Sequence, residues 1–275
     1  MTSEKIERLA DMNDYDIAYG TWDFNGEPVP VASQYRIAWR QMAATTGFRT
    51  MYPAMIPPGA RHVNGIISAG VVDPSKVREL IAVGAGLSTI LSDFLFRAIG
   101  SHLWGSIVNQ APVLSMQTDE VLAGELYLRL NCLTSAYGEL WRIHSGESWD
   151  PDVPITMAID RERAQARIDA AAAYAWGVTA DELCMIYRTQ FPVMRRYDTE
   201  DRYDRNGRRV PKEILRLQAK RDSGDDLSAE ERTWNHPASG ASYLFEYPFV
   251  AFDREAEMRA AYQSIEDSIA SNASL

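Results

Sequence analysis

The sequence is poor in the residues that build covalent staples and metal cages. Only two cysteines, Cys132 and Cys184, occur in 275 residues, and neither belongs to a CxxC pair or a Cys/His cluster. That argues against a disulfide scaffold and a structural zinc, and it predicts two buried free thiols in a reducing, cytoplasmic setting. The four histidines, His62, His102, His144 and His236, are far apart with no ligand spacing. No GxGxxG follows a strand, and GxxxxGK[ST], HExxH and GxSxG are all missing. Acid pairs at Asp181/Glu182 and Asp225/Asp226 fall at a helix cap and in a linker, where solvation is role enough. No active site is specified by the residues alone. The longest apolar stretch, Leu80–Ile99, is interrupted by Ser92, Asp93 and Arg97, so no membrane span is expected. The opening MTSEKIERLADMNDYD is polar and acidic, unlike a signal peptide. No 20–50-residue period repeats, which excludes a solenoid.

What is present is an ordinary globular composition, 46% hydrophobic and 24% charged, with a net charge of −10. That balance is wrong for a protein that coats nucleic acid indiscriminately. The charge is unevenly spread. Between Arg188 and Arg221 stand eleven Lys/Arg against five Asp/Glu, a local +6 on a body carrying −16. Such a segment suits a local phosphate contact and equally a solvated, charge-rich helix.

Pattern along the chain predicts an α+β fold, strand-rich first and mainly helical later, without a Rossmann-type sheet. Residues 1–34 read as an extended leading segment. Tyr35–Arg40 alternates at period two, and Arg49–Ile56 reads as a second strand, ended by Pro57-Pro58-Gly59. Asp73-Pro74 marks a helix start. Helices are expected over Leu87–Ile99, Thr118–Trp141, Asp160–Trp176 (capped by Asp160, stopped by Gly177) and Thr179–Thr189. The last opens with a capping box, Thr179 and Glu182. Gly84-Ala85-Gly86 is a weak cofactor signal that tight packing explains better. Asn206-Gly207 is a turn, Lys212–Arg221 a short basic helix, Trp234–Phe252 aromatic and extended, and Asp253–Ala270 helical. The domains expected are 35–145 and a helical region 146–275 holding the basic segment.

Several stretches then fall in a familiar order. Ser92-Asp93-Phe94-Leu95-Phe96-Arg97, Gly100-Ser101-His102-Leu103 and Ala111-Pro112-Val113 are similar to a helix, turn and strand end in one group of enzymes. Tyr35–Arg40, Arg49-Thr50, Ile56–Gly59, Leu128–Asn131 with Trp141, Arg163–Ala172, Trp176–Leu183 with Phe191-Pro192, and Phe252–Tyr262 are collinear with further pieces. Together, from about Tyr35 to Tyr262, the chain resembles the target-recognition region of adenine-specific DNA methyltransferases. These are the type IIG restriction–modification enzymes and phage-defence methylases of the BREX and DISARM kind. Trp104 stands where that pattern often has Asn.

The resemblance implies DNA reading without catalysis, because the methyl-donor motif and the Asn-Pro-Pro-[Tyr/Phe] loop of that family are missing. It implies no cofactor on this chain, with S-adenosylmethionine on a catalytic partner chain or domain, and double-stranded DNA as ligand. Base-edge or backbone candidates are Arg61, His62 and Asn64 in one loop, and Arg97, Ser101, His102 and Trp104 in the turn. Phosphate candidates are Arg195, Arg196, Arg202, Arg205, Arg208, Arg209 and Lys212. Bland roles compete: Arg97 pairing with Asp93 at i,i+4, His102 bonded within its turn, Trp104 in the core. A different class of function also fits the acidic body, an interaction protein or mimic that docks a methyltransferase or nuclease. A subunit of a split gene, working with a separately encoded catalytic chain, fits as well.

Overall fold

Asn25 and Gly26 both take positive φ, 57° and 87°, the backbone a two-residue hairpin turn requires. They join β1 (Thr21–Phe24) to β2 (Glu27–Pro30) in an antiparallel ribbon. A hairpin therefore occupies part of the leading segment. The computed structural model describes residues 20–100, 102–114, 118–221 and 225–272, and the chain divides into two compact units, Met1–Pro154 and Ile155–Leu275.

In the first unit a three-stranded antiparallel sheet has β3 (Arg36–Arg40) at its centre, between β4 (Ala54–Ile56) and β5 (Ile66–Gly70). Four successive residues of β3, Arg36 to Trp39, are buried, so the expected in–out alternation does not hold. A central strand covered on both faces has no solvent side to alternate with. β4 is shorter than expected: Arg49-Thr50-Met51 lies outside it, with the Arg49 amide donating to the Tyr52 hydroxyl and the Thr50 amide to Asp93 instead of to a ladder.

Asp73 caps as expected, accepting from the Ser75 amide at 2.9 Å with Pro74 in the first turn. The chain then enters α1 (Val77–Leu87), breaks, and resumes as α2 (Ile90–Ile99). The helix begun at Asp73-Pro74 thus ends at Leu87, and the one expected over Leu87–Ile99 starts three residues later, at Ile90. Thr89 stops the first and starts the second, its hydroxyl accepting from the Ser92 amide at 3.1 Å. Gly84-Ala85-Gly86 sits inside α1. A Cβ on Gly84 would come within 2.5 Å of the Tyr127 ring, so glycine is there for a close helix approach.

A one-turn helix, α3 (Gly105–Val108), precedes α4 (Thr118–Asn131) and α5 (Gly138–Ser145). The helix expected over Thr118–Trp141 is broken after Asn131, where Cys132 is buried and burial pushes its thiol up to about 12. α1 packs on β3, α4 and α5, around Ile37, Leu80, Ile81, Tyr127 and Leu140. Burying each such side chain contributes about 1.5–3 kcal/mol.

The second unit is built on α6 (Ala158–Ala175), α7 (Ala180–Gln190), α8 (Pro192–Glu200) and the C-terminal α10 (Arg254–Asn272). α6 buries Ala164, Ala166 and Ala170–Ala173, small side chains that let α10 and α7 pack closely on it. Asp160 is not its cap. The helix begins at Ala158 with no side-chain cap, which places Asp160 in the first turn, where a carboxylate still favours the helix dipole. Gly177 ends it at φ +70°, with the Val178 amide returning to the Ala173 carbonyl at 2.8 Å. The Thr179–Glu182 capping box opens α7. Between α8 and α10 lie α9 (Lys212–Gln218) and the strand pair β6 (Thr233–Asn235) and β7 (Ser242–Leu244).

The fold is α+β, and the described residues contain only small antiparallel sheets and no doubly wound one. No single described helix is long and apolar enough to cross a membrane.

Candidate nucleic-acid interface

The end of β3 gathers two of the loops singled out in the sequence. Past Arg40, the Gln41 amide donates to the Gly65 carbonyl at 2.9 Å, and the Gln41 carbonyl accepts from the Leu103 amide at 2.8 Å. Met42 forms a bridge opposite His102, and the Trp39 indole donates to the Leu103 carbonyl at 2.8 Å. The Asn64 loop and the His102 turn therefore flank one strand end, about two strand spacings (~9.5 Å) apart. Around them Met42 and Val63 are each 67% exposed and Trp104 is 51% exposed. Trp104 is thus a surface residue and not part of the core.

Each loop is held from beneath. Arg36, at 0% exposure, donates to the Ala60 carbonyl and to the Ser68 hydroxyl. Ser68 in turn hydrogen-bonds His62 Nε2 at 2.8 Å. Burial, with help from the Arg36 charge, holds the His62 imidazole below its usual pKa. Arg61 reaches the Gly59 carbonyl, and Asn64 Oδ1 accepts from the Gly65 amide. In this loop, then, His62 is turned inward, while Asn64 keeps its amide nitrogen for other partners.

Arg97 is committed elsewhere. Its Nε donates to Asp93 Oδ1 at 3.1 Å, and its Nη2 donates to the carbonyls of Gly47 and Phe48 at 3.0 and 3.2 Å. That removes it from the base-edge candidates. Ser101 lies outside the described residues.

The basic segment is less free than its composition suggests. Arg208 is locked on the buried Asp204 and covers the Phe245 ring. Arg209 sits between Glu162 and Asp201 at 3.6 and 3.4 Å. Lys212 stands 4.0 Å from Glu200 and over the Tyr197 ring. Arg188 and Arg221 pair with Glu255 and Glu231. Acidic residues inside and outside the segment thus neutralise five of its eleven cations, a pairing that linear charge counting cannot see. Arg195 and Arg202 bond only backbone carbonyls and Arg196 rests on the Tyr197 ring. Together with Arg205, Arg216 and Lys220, these have no ion pair with a carboxylate among the described residues.

Sequence reasoning passed over a buried arginine of the second unit. Arg254 is 2% exposed and spans Asp198 at 2.7 Å and Glu162 at 2.5 Å, with Tyr187 donating to the same Asp198 at 2.7 Å. These partners hold Arg254 charged despite burial. This network joins α6, α7, α8 and α10. Among the described residues no group of three or more His, Cys, Asp or Glu is placed to hold a metal ion.

No protein-family model, no curated protein and no solved structure matches this chain.

Proposed function

We propose that this chain is a DNA target-recognition module of an adenine-specific restriction–modification or phage-defence methyltransferase, with the chemistry supplied by a catalytic chain or domain. The observation that carries the reading is the convergence of the Asn64 loop and the His102–Trp104 turn on the end of β3. The turn belongs to one stretch of the resemblance and the Asn64 loop follows another, Ile56–Gly59, and both present exposed polar side chains at one strand end, as direct reading of base edges requires. Other stretches of the resemblance are contact partners too. Thr50 bonds Asp93, and the Met55 amide donates to Asn131 Oδ1 at 3.2 Å.

Phosphate contacts in this reading fall to Arg195, Arg196, Arg202 and Arg205, since Arg208, Arg209 and Lys212 already have carboxylates. The test is selection from a randomised duplex pool at about 50 mM salt, where phosphate contacts are strongest. Wild-type chain enriches one sequence, and His102→Ala and Asn64→Ala lose that enrichment while keeping general binding. A pool recovered without any enriched sequence overturns the reading.

The exposed Met42, Val63 and Trp104 favour a second reading, the protein-docking surface of an interaction protein. It predicts no duplex binding and a chain that co-purifies with a methyltransferase or nuclease through Trp104.

A further inference from the structure

A pocket in the second unit is lined by none of the residues used for base reading above. It has a volume of about 540 Å³ and is lined by Glu200, Arg202, Leu215, Gln218, Tyr247 and Phe249, among others. The Tyr247 and Phe249 rings have centroids 4.4 Å apart at a 39° tilt. Tyr247 is fixed on both sides, its hydroxyl bonded to Gln218 and to the Leu227 amide, its ring covered by Arg232 at 4.9 Å. Arg202 is half-buried and uses only Nη1, on the carbonyls of Thr199 and Asp201. Its Nε and Nη2 donors have no protein acceptor among the described residues.

Charge around the mouth follows from helix geometry. Leu215, Gln218 and Ala219 line the pocket at i, i+3 and i+4 of α9 and the turn that continues it. One residue on, and so about 100° round the axis from Leu215 and Ala219, Arg216 and Lys220 stand on the adjoining surface of the same segment. Both are exposed, and neither has a carboxylate partner among the described residues. The pocket thus offers an aromatic wall and the two uncommitted donors of Arg202, with Arg216 and Lys220 on the adjoining surface. Glu200 and Asp226 add carboxylates, which accept hydrogen bonds and donate none.

We infer that this pocket takes an unpaired nucleobase of a single-stranded nucleic acid, with the adjoining phosphates on Arg202, Arg216 and Lys220. Aromatic side chains within a basic groove are the common means of holding single strands. The carboxylates select a base carrying an exocyclic amino group, as an acidic side chain does when it accepts from cytosine N4. The inference shares Arg202 with the duplex reading but uses none of Asn64, His102 or Trp104, and Arg216 and Lys220 belong to it alone.

The experiment is fluorescence anisotropy of the full chain with labelled 12-mers of oligo-dC and oligo-dT and with a duplex, across a salt series. Oligo-dC is expected to bind several-fold more tightly than oligo-dT, with Glu200→Gln erasing the difference. Arg202→Ala should weaken binding at least tenfold. Arg216→Ala with Lys220→Ala, two surface changes that leave the fold intact, should flatten the salt slope by about 1.4. No binding of either strand, or binding indifferent to both sets of basic changes, overturns the inference. His102→Ala should leave single-strand binding unchanged, so failure of the duplex reading and failure of this one give different results.

Discussion

Asp93 receives the Thr50 amide on both of its carboxylate oxygens, at 3.0 and 2.9 Å. One turn further along α2, Arg97 bonds the same carboxylate and the carbonyls of Gly47 and Phe48. The pair is a clamp on the loop that leads into β4, and both side chains are buried. Arg49 extends it by donating to the Ser88 carbonyl at the break between α1 and α2 at 2.7 Å.

Removing Asp93 would strand a buried amide and a buried guanidinium together. Breaking a buried pair from one side costs about 3–5 kcal/mol, so Asp93→Ala should destabilise the first unit by about that much in urea denaturation. A double-mutant cycle with Arg97→Met should show coupling of about 1–3 kcal/mol. Additive effects would mean that the two residues do not act as one clamp.

Gly84 gives a steric prediction. Its missing Cβ leaves room for the Tyr127 ring, whose Cε1, Cζ and hydroxyl atoms would lie 2.5–2.7 Å from an added methyl. Tyr127 is buried, so the ring cannot swing into solvent. Overpacking of this kind costs about 1–3 kcal/mol, and Gly84→Ala should lower stability accordingly. In a Tyr127→Leu background the same change should cost less. Equal cost in both backgrounds would place the strain elsewhere.

How much of this was readable in advance depends on the range of the interaction. The Asp73 start, the Thr179–Glu182 box, the Gly177 stop and the Asn206-Gly207 turn are local signals, and each appears where the residues predict it. Apolar spacing starts the second helix at Leu87, three residues early, because the pattern of α1 runs on into α2; the Thr89 cap marks the actual start. The same limit applies to charge. Arg208 and Arg209 look like free cations in a run of bases, yet Glu162, which pairs with Arg209, lies on another helix. The convergence of Asn64 and His102 is a property of sheet register, which spacing along the chain does not encode.

Two histidines give the pH dependence its sign. Burial holds both His62 and His144 below the usual imidazole pKa, for His144 with Arg78 adding to the effect and Glu125 opposing it. The unfolded chain therefore takes up these protons first, at about pH 6.5. Stability is complete above that value and falls as the pH drops from there through the lower folded pKa values. Unfolding free energies at pH 7.5 and 5.5 should differ less in His144→Gln than in wild type. A histidine NMR titration placing His144 above 6.5 would reverse the sign and refute the assignment.

The last prediction concerns which arginines meet phosphate. A cation that already holds a carboxylate gains little from a second anion and would have to break its own pair to do so. Each contact that neutralises a duplex phosphate adds about 0.9 to the slope of log K against log salt. Replacing Arg195 and Arg196 together by Ala should therefore flatten the duplex slope by up to about 1.8 and weaken all sequences alike. Arg208→Ala should leave the slope unchanged and lower thermal stability, because it leaves the buried Asp204 carboxylate with backbone amides and no counter-charge from Arg208 and uncovers Phe245. Salt-titrated anisotropy paired with calorimetry separates the two behaviours. If Arg208→Ala flattens the slope at unchanged melting temperature, Arg208 leaves Asp204 for phosphate, and the division between paired and free cations does not govern binding.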